Sequence, residues 1–341
     1  AGDLEEAISI GLDANIIVES TNGLSKRAKL KYLFPIYSVK FFGAKGDGTT
    51  DDKAAIESAI TTAIANLPAT VYFPPGDYAI SAGVEYTIPQ GSGGLSIVGA
   101  GQNVTRITFN KGSALGNREY KVFKFEPATT VEIGANTGTD ATGVTLTDAD
   151  GAFPTAGTGL DGLYVHNLTD GSAGVIASNT ATTITVTAGI SGGTDDEWAA
   201  GDEYTVSDSA TDPYSLYLHD IHISGIGFHD NDPVTHGSGG EESHGIQITY
   251  ATNVSVESCD FTDIGDEGID FLNVIRGNIS HNTSQNTPAH NVAGQGTTGS
   301  TISIGSGCRN ITASNNNITT GQSLGTRSIV TGAAGIAIGV G

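Results

Sequence analysis

Five of the eight histidines, His219, His222, His229, His236 and His244, fall within 26 residues, and Asp260, Asp263, Asp266, Glu267 and Asp270 follow at once. Imidazole titrates near neutrality, and a carboxyl close to an ionised neighbour keeps its proton to higher pH. Such a stretch therefore has the groups for proton transfer to and from a substrate. No histidine pair has the HExxH spacing and no Cys/His pattern suits zinc, so no structural metal is expected. His219 and His222 also read simply as neighbours of the strand residues Leu218, Ile221 and Ile223.

The elements that position these residues show as an internal repeat. HGIQITYATNVSVESCDFTDIGD (244–266) is followed by EGIDFLNVIRGNISHNTSQNTPA (267–289), by STISIGSGCRNITASNNNITTGQ (300–322) and by AGIAIGVG, with Ile246, Ile269, Ile302 and Ile336 in the same place. The first interval is 23 residues and the next two are 33 and 34, with the loops 290–299 and 323–333 as the additions. Asn253, Asn278 and Asn310 recur before Val/Ile-Ser/Thr and read as an asparagine stack at a turn. His244 and Glu267 take the same place in adjacent rungs, which predicts Cα atoms one strand spacing apart, about 4.8 Å. Asp266 sits one residue earlier, at the turn, and Asp270 alternates with the core positions Ile269 and Phe271, which predicts that it faces solvent. His244, Asp266, Glu267 and Asp270 are the candidate catalytic group. His229, His236, Gln247, Tyr250, Asn282 and Ser303, with Gln285, are the candidate sugar contacts.

Upstream, Val39, Phe41 and Phe42 read as a short strand broken by Gly43, Gly46 and Gly48. A helix over 52–66 follows, capped by Thr50 or Asp51, with Ala55, Ile56, Ala59, Ile60, Ala63 and Ile64 on one face. Val71, Tyr72 and Phe73 make a strand that Pro74, Pro75 and Gly76 end, and further short strands follow. FGAKGDGTTDD, VYFPPGDY and GLSIVGAG, spread over Val39 to Phe109, resemble the opening of the pectate-lyase-like right-handed parallel β-helices of polygalacturonases, polysaccharide lyases and bacteriophage tailspikes. The resemblance implies an all-β solenoid whose N-terminal helix covers the open end, which would otherwise present unpaired strand edges. It also implies action on a polysaccharide. Asp266-Glu267 before GIDF matches the acidic pair of the polygalacturonase type, whereas His244 and Ser300 stand where that pattern has Asp and His, and its Arg-x-Lys has no counterpart. The calcium-binding acids and Arg base of pectate lyases do not map.

The domain boundaries expected are an N-terminal neck or arm over 1–38, the helix-bearing start of the β-helix over 39–128, an inserted small antiparallel β domain over 129–208, and continuing rungs over 209–341. The arm holds a basic cluster, Lys26, Arg27, Lys29 and Lys31, and is similar to a tailspike neck; the alternative is a strand-like arm packed on the barrel. The acidic residues around Trp198 read as a solvated loop with one packed Trp, with calcium as the alternative. No cofactor is otherwise required. A net charge of −22 disfavours nucleic acid and anionic membrane surfaces, and no run of about 20 apolar residues predicts membrane insertion. Cys259 and Cys308 read as buried thiols rather than a disulfide. The absence of Met predicts a processed or partial chain, and the uncapped last rung predicts further chain or a partner. Together these point to a glycoside hydrolase or polysaccharide lyase, a homotrimeric tailspike depolymerase on a virion tail. The alternatives are a noncatalytic glycan-binding adhesin or structural fibre, and a secreted bacterial enzyme.

Overall fold

The computed structural model describes residues 15–18, 26–29, 35–109, 120–128, 132–155, 159–231, 243–265, 267–285, 301–305, 307–319, 329–331 and 337–339. The chain separates into two compact units, one of 1–87, 93–126 and 219–341, the other of 88–92 and 127–218. In the first, two sheets run rung to rung. One has its strands in the order Ile329–Thr331, Ile302–Ile304, Ile269–Ser280, Ser243–Glu257, Leu218–Ser224, Gly93–Gly99, Ala69–Phe73, Ile36–Ser38, with Tyr120–Pro127 also paired to Ser243–Glu257. The other orders Asn317–Thr319, Thr283–Gln285, Asp260–Thr262, Gly227–Asp230, Thr105–Phe109, Gly76–Ile80 and Asp47–Asp51. Pairing between these rungs is parallel and in register, so Ile246 lies beside Ile269, and Ile269 beside Ile302, with a shift at Asp47–Asp51 against Gly76–Ile80. The fourth position belongs to Ile329, not Ile336, because Ala337–Gly339 pairs with Thr312–Ser314 one face further on.

Corners between strands need a left-handed residue, and they stack as the strands do. Asp220, Asn253, Arg276 and Asn310 form one such column, all with φ between 55° and 61°. Asn278 is not in it, since Ser255 pairs with Asn278 and the asparagine motif has slipped by two residues there. Tyr250 and Asn273, at φ 50° and 54°, start a second column that continues to Gly307 at φ 72°, where a Cβ would sit 1.7 Å from Asn273 Oδ1. Inside the barrel an aromatic column runs through Phe73, Phe123, Phe228 and Phe261, with centroids 6.2, 5.8 and 5.2 Å apart. Each such pair contributes about 0.5–1.5 kcal/mol beyond burial. Cys259 and Cys308 are free and buried, and burial pushes their thiols up to about 12 and about 11.

The glycine-rich motif near the start folds differently from the sequence expectation. Ile36–Ser38 is the strand, and Val39–Phe42 is a 3-10 turn that Gly43 ends at φ 102°. The helix, α1, spans Lys53–Ile64 and buries Ile56, Ala59, Ile60 and Ala63 against Ile36–Ser38 and Ala69–Phe73. Thr50 lies in the strand Asp47–Asp51 and the cap position is Asp52, but the Asp51 carboxylate does accept the first helical amide, that of Lys53, at 3.1 Å. The Asp52 carboxylate instead accepts the amides of Lys45 at 2.6 Å and Gly46 at 2.8 Å, closing the Gly-Ala-Lys-Gly loop onto the helix start.

The second unit is a six-stranded sheet in the order Ile133–Ala135, Glu203–Ser207, Tyr164–Asn167, Ala173–Asn179, Thr183–Val186, Thr145–Thr147, antiparallel throughout. Its core holds Trp198, Tyr204, Val165, Ile176 and Ile184. The acids around Trp198 are spent on turns: Asp202 Oδ2 accepts from Ala199 N at 2.8 Å and Asn167 Nδ2 at 2.9 Å, and Asp196 Oδ1 from Gly193 N at 2.8 Å. Among the described residues no group of three or more His, Cys, Asp or Glu is placed to hold a metal ion.

Asn282 is buried at the corner between the two sheets of the first unit. Its Nδ2 donates to Val256 O at 3.0 Å, its Oδ1 accepts from Cys259 N at 2.9 Å, and its own amide reaches Asn316 Oδ1 at 3.0 Å. These bonds occupy the polar atoms that a sugar would need. Asn282→Ala should therefore lower stability by about 2–3 kcal/mol through unpaired buried groups, read as a fall in urea midpoint at unchanged slope. An unchanged midpoint with weakened glycan binding would restore Asn282 as a sugar contact.

Candidate functional site

The strands Ser243–Glu257 and Ile269–Ser280 bring His244 and Glu267 together, as the 23-residue interval requires. Gly245 N donates to Glu267 O at 2.8 Å, and His244 Nδ1 lies 2.8 Å from Glu267 Oε2. The two side chains meet off the axis of a directed hydrogen bond. Both are largely withdrawn from water, with 5% and 15% of their side chains exposed.

Asp270 stands beside them, and here the sequence expectation is corrected. Its side chain does alternate with Ile269 and Phe271, but it is only 6% exposed rather than facing solvent. Gln247 Nε2 donates to Asp270 Oδ2 at 2.7 Å, and Ser303 hydrogen-bonds the same carboxyl. Burial raises the Asp270 pKa above the ordinary carboxylate value, and the Glu267 charge adds to this. The bonds from Gln247 and Ser303 and the charge of His244 oppose it. Gln247, Asp270 and Ser303 are register partners, so one polar position per rung forms a continuous row.

The row also extends to residues that the sequence reading passed over. In the strand Tyr120–Pro127, Lys121 pairs in register with His244, and Lys124 with Gln247. Lys121 is buried, and Lys124 Nζ is 2.8 Å from Glu126 Oε1. The signal was a lysine preceding the alternating core residues Phe123 and Phe125, but the distance in sequence to the next rung hides the repeat.

The other candidates lie apart from this cluster. His229 is on the second sheet, in register with Thr108 and Thr262, with Nδ1 3.8 Å from Asp263 Oδ2. Tyr250 is a left-handed corner residue, and Gln285 is exposed on the second sheet. Asp266, His236 and the loop 290–299 lie outside the described residues, as do most of 1–38 and of 323–333. Among the described residues no helix is long and apolar enough to cross a membrane, which says nothing of membrane β-barrels.

Residues 36–207, just over half of the chain, match the family model for rhamnogalacturonase A/epimerase, pectate lyase-like proteins. The chain belongs to that family. Curated relatives include mannuronan C5-epimerase AlgE4 of Azotobacter vinelandii, 43% identical over 83 residues, which are 23% of this chain and 14% of that protein. Alginate lyase 7 of the same organism is 47% identical over 75 residues, 21% of this chain and 8% of the lyase. These matches thus span a small part of the relatives' own length. Among solved structures, PfbA, a surface adhesin of Streptococcus pneumoniae, superposes with a TM-score of 0.50 at 18% identity over 89% of this chain and 56% of PfbA. That likeness is one of fold alone.

The raised Asp270 pKa has a definite sign for stability. The native state holds this proton more tightly than the unfolded chain. The group therefore stabilises fully below the ordinary carboxylate pKa, and the contribution is lost as pH rises from there through the folded value. Asp270→Asn should match the wild type near pH 3 and become the more stable protein as pH climbs above about 4, read from urea midpoints across the pH range. Parallel pH profiles for the two proteins would show that Asp270 titrates normally.

Proposed function

We propose that the chain is the polysaccharide-cleaving part of a tailspike-type depolymerase, with Glu267 and Asp270 as the acid–base pair and His244 as the group that orients Glu267. The observation that carries this is a buried carboxyl whose burial raises its proton affinity, placed in one rung beside a His–Glu contact made between rungs. Cleaving a glycosidic bond by hydrolysis needs one carboxyl that gives a proton to the leaving oxygen and a second that activates water or attacks the sugar. Asp270 suits the first role and Glu267, the more accessible of the two, the second. Family membership supports a polysaccharide substrate, as do the mannuronan and alginate in the names of the curated relatives. On the same reading α1 covers the open end of a right-handed β-helix and 129–208 is an insertion. The neck-like arm over 1–38 leads into a homotrimer on a virion tail.

Burial of all three groups favours a second reading, a noncatalytic glycan-binding protein whose His–Glu–Asp cluster only holds rungs together. Incubation with a panel of bacterial and algal polysaccharides, read together for new reducing ends and for the ultraviolet absorbance of unsaturated products, separates the cases. Reducing ends alone mean hydrolysis, both signals mean elimination, and neither supports the binding protein. For a substrate that is cleaved, Glu267→Gln and Asp270→Asn should each lower turnover by about 100-fold or more in protein that remains folded. Near-wild-type turnover in both would remove the cluster from the chemistry.

A further inference from the structure

The first unit carries a second polar face, separate from the His244 cluster. The left-handed corners at Tyr250 and Asn253 turn the chain between Gln247, on the cluster's face, and Ser255, on the other. There Thr70, Ser96, His222 and Ser255 stack in register from four successive rungs. They line a groove of about 500 Å³ together with Asp220 and with Pro35 and Pro68. We propose that this groove binds a neutral, extended oligosaccharide, as a site distinct from the acid–base cluster and independent of whether that cluster is catalytic.

Three features carry the assignment. The first is spacing: four rungs set their polar side chains over roughly 14 Å at one strand spacing each, close to the advance of a pyranose residue along an extended chain. The groove can therefore meet successive sugars with the same kind of group. The second is a fixed donor and acceptor. His222 Nδ1 lies 2.6 Å from Ser255 Oγ and Nε2 2.9 Å from Ser224 Oγ. In neutral imidazole one nitrogen donates and the other accepts, so one serine keeps its O–H to give and the other keeps lone pairs to accept; of the two, Ser255 lines the groove. A sugar hydroxyl, which is both donor and acceptor, is the matching ligand. The third is a carboxylate held in place. Asp220 accepts from His219 Nδ1 at 2.9 Å and Asn253 Nδ2 at 3.2 Å, and Asn253 Oδ1 is in turn fixed by Arg276 Nε at 2.9 Å.

Charge decides the ligand's class. The hydrogen bond from His219 holds the Asp220 carboxyl below its usual pKa, first among several causes. Asp220 is therefore ionised and more than half exposed beside the groove. The lining residues include no Lys or Arg among those described, and the nearby Arg276, whose charge acts on Asp220, is itself tied to Asn253. An anionic uronate chain therefore meets a carboxylate and no cation within the groove, whereas a neutral chain can give its hydroxyls to the carboxylate. Pro35 and Pro68, which lack an amide hydrogen, supply apolar sides for the C–H face of a pyranose ring.

The test is calorimetric titration with cellohexaose, laminarihexaose and mannohexaose as neutral probes and hexamannuronate as the anionic one. At least one neutral hexaose should bind saturably with a Kd of about 1 mM or tighter, and hexamannuronate should not compete. Ser96→Trp, which fills the groove, and Asp220→Asn, which keeps the side-chain shape and tolerates the left-handed backbone, should each weaken binding by about 10-fold or more. Should Ser96→Trp fail to fold, Asp220→Asn decides alone. The proposal is overturned if none of the three neutral probes binds, if hexamannuronate displaces them, or if a folded variant binds as the wild type does.

Discussion

Parallel pairing in register between successive rungs is the constraint from which the rest of the first unit follows. Each strand satisfies its backbone groups on its neighbours in the stack, so a residue type placed at one position is repeated along the solenoid axis. That repetition gives the aromatic column of Phe73, Phe123, Phe228 and Phe261 and the columns of left-handed corners. It also means that a polar side chain on an outward position does not stand alone: it inherits a neighbour about 4.8 Å away in the rung above and the rung below.

The two polar faces are consequences of that rule with different partners. On one, Lys124, Gln247, Asp270 and Ser303 make a row in which a carboxyl is buried among amide and hydroxyl groups, and His244 and Glu267 meet beside it. Removing water there raises the proton affinity of Asp270, the requirement of a general acid. On the other face His222, Ser96 and Thr70 remain half exposed, and the carboxylate beside them stays ionised. One face thus holds a carboxyl of raised proton affinity and the other a carboxylate of lowered proton affinity.

How far the sequence could be read depended on whether the repeat ran uninterrupted. The interval from His244 to Glu267 has no insertion, and their adjacency followed directly from it. The preceding rung in that sheet, with Lys121 and Lys124, is separated from His244 by the whole of 127–218, so no period exposes it. The repeat assigns the fourth position to Ile336 one face too early, because the strand that pairs with Ile302–Ile304 begins at Ile329 and the interval shortens. Asn278 looked equivalent to Asn253 and Asn310 by its neighbours, yet Arg276 holds that corner: a long side chain can adopt φ near 60° when its guanidinium is tied to Asn253. Alternation placed Asp270 outside the core correctly, but alternation says nothing of what covers an outward residue. Val39–Phe42 has the composition of a strand, while Gly43 in a left-handed conformation closes it into a 3-10 turn.

The central claim, that stacking in register couples His244 to Glu267 as one functional unit, is tested most directly by a double-mutant cycle. Unfolding free energies would be measured for the wild type, His244→Ala, Glu267→Gln and the double variant at neutral pH. Coupling of about 1–3 kcal/mol is expected for groups in contact, and additivity within about 0.5 kcal/mol would contradict it.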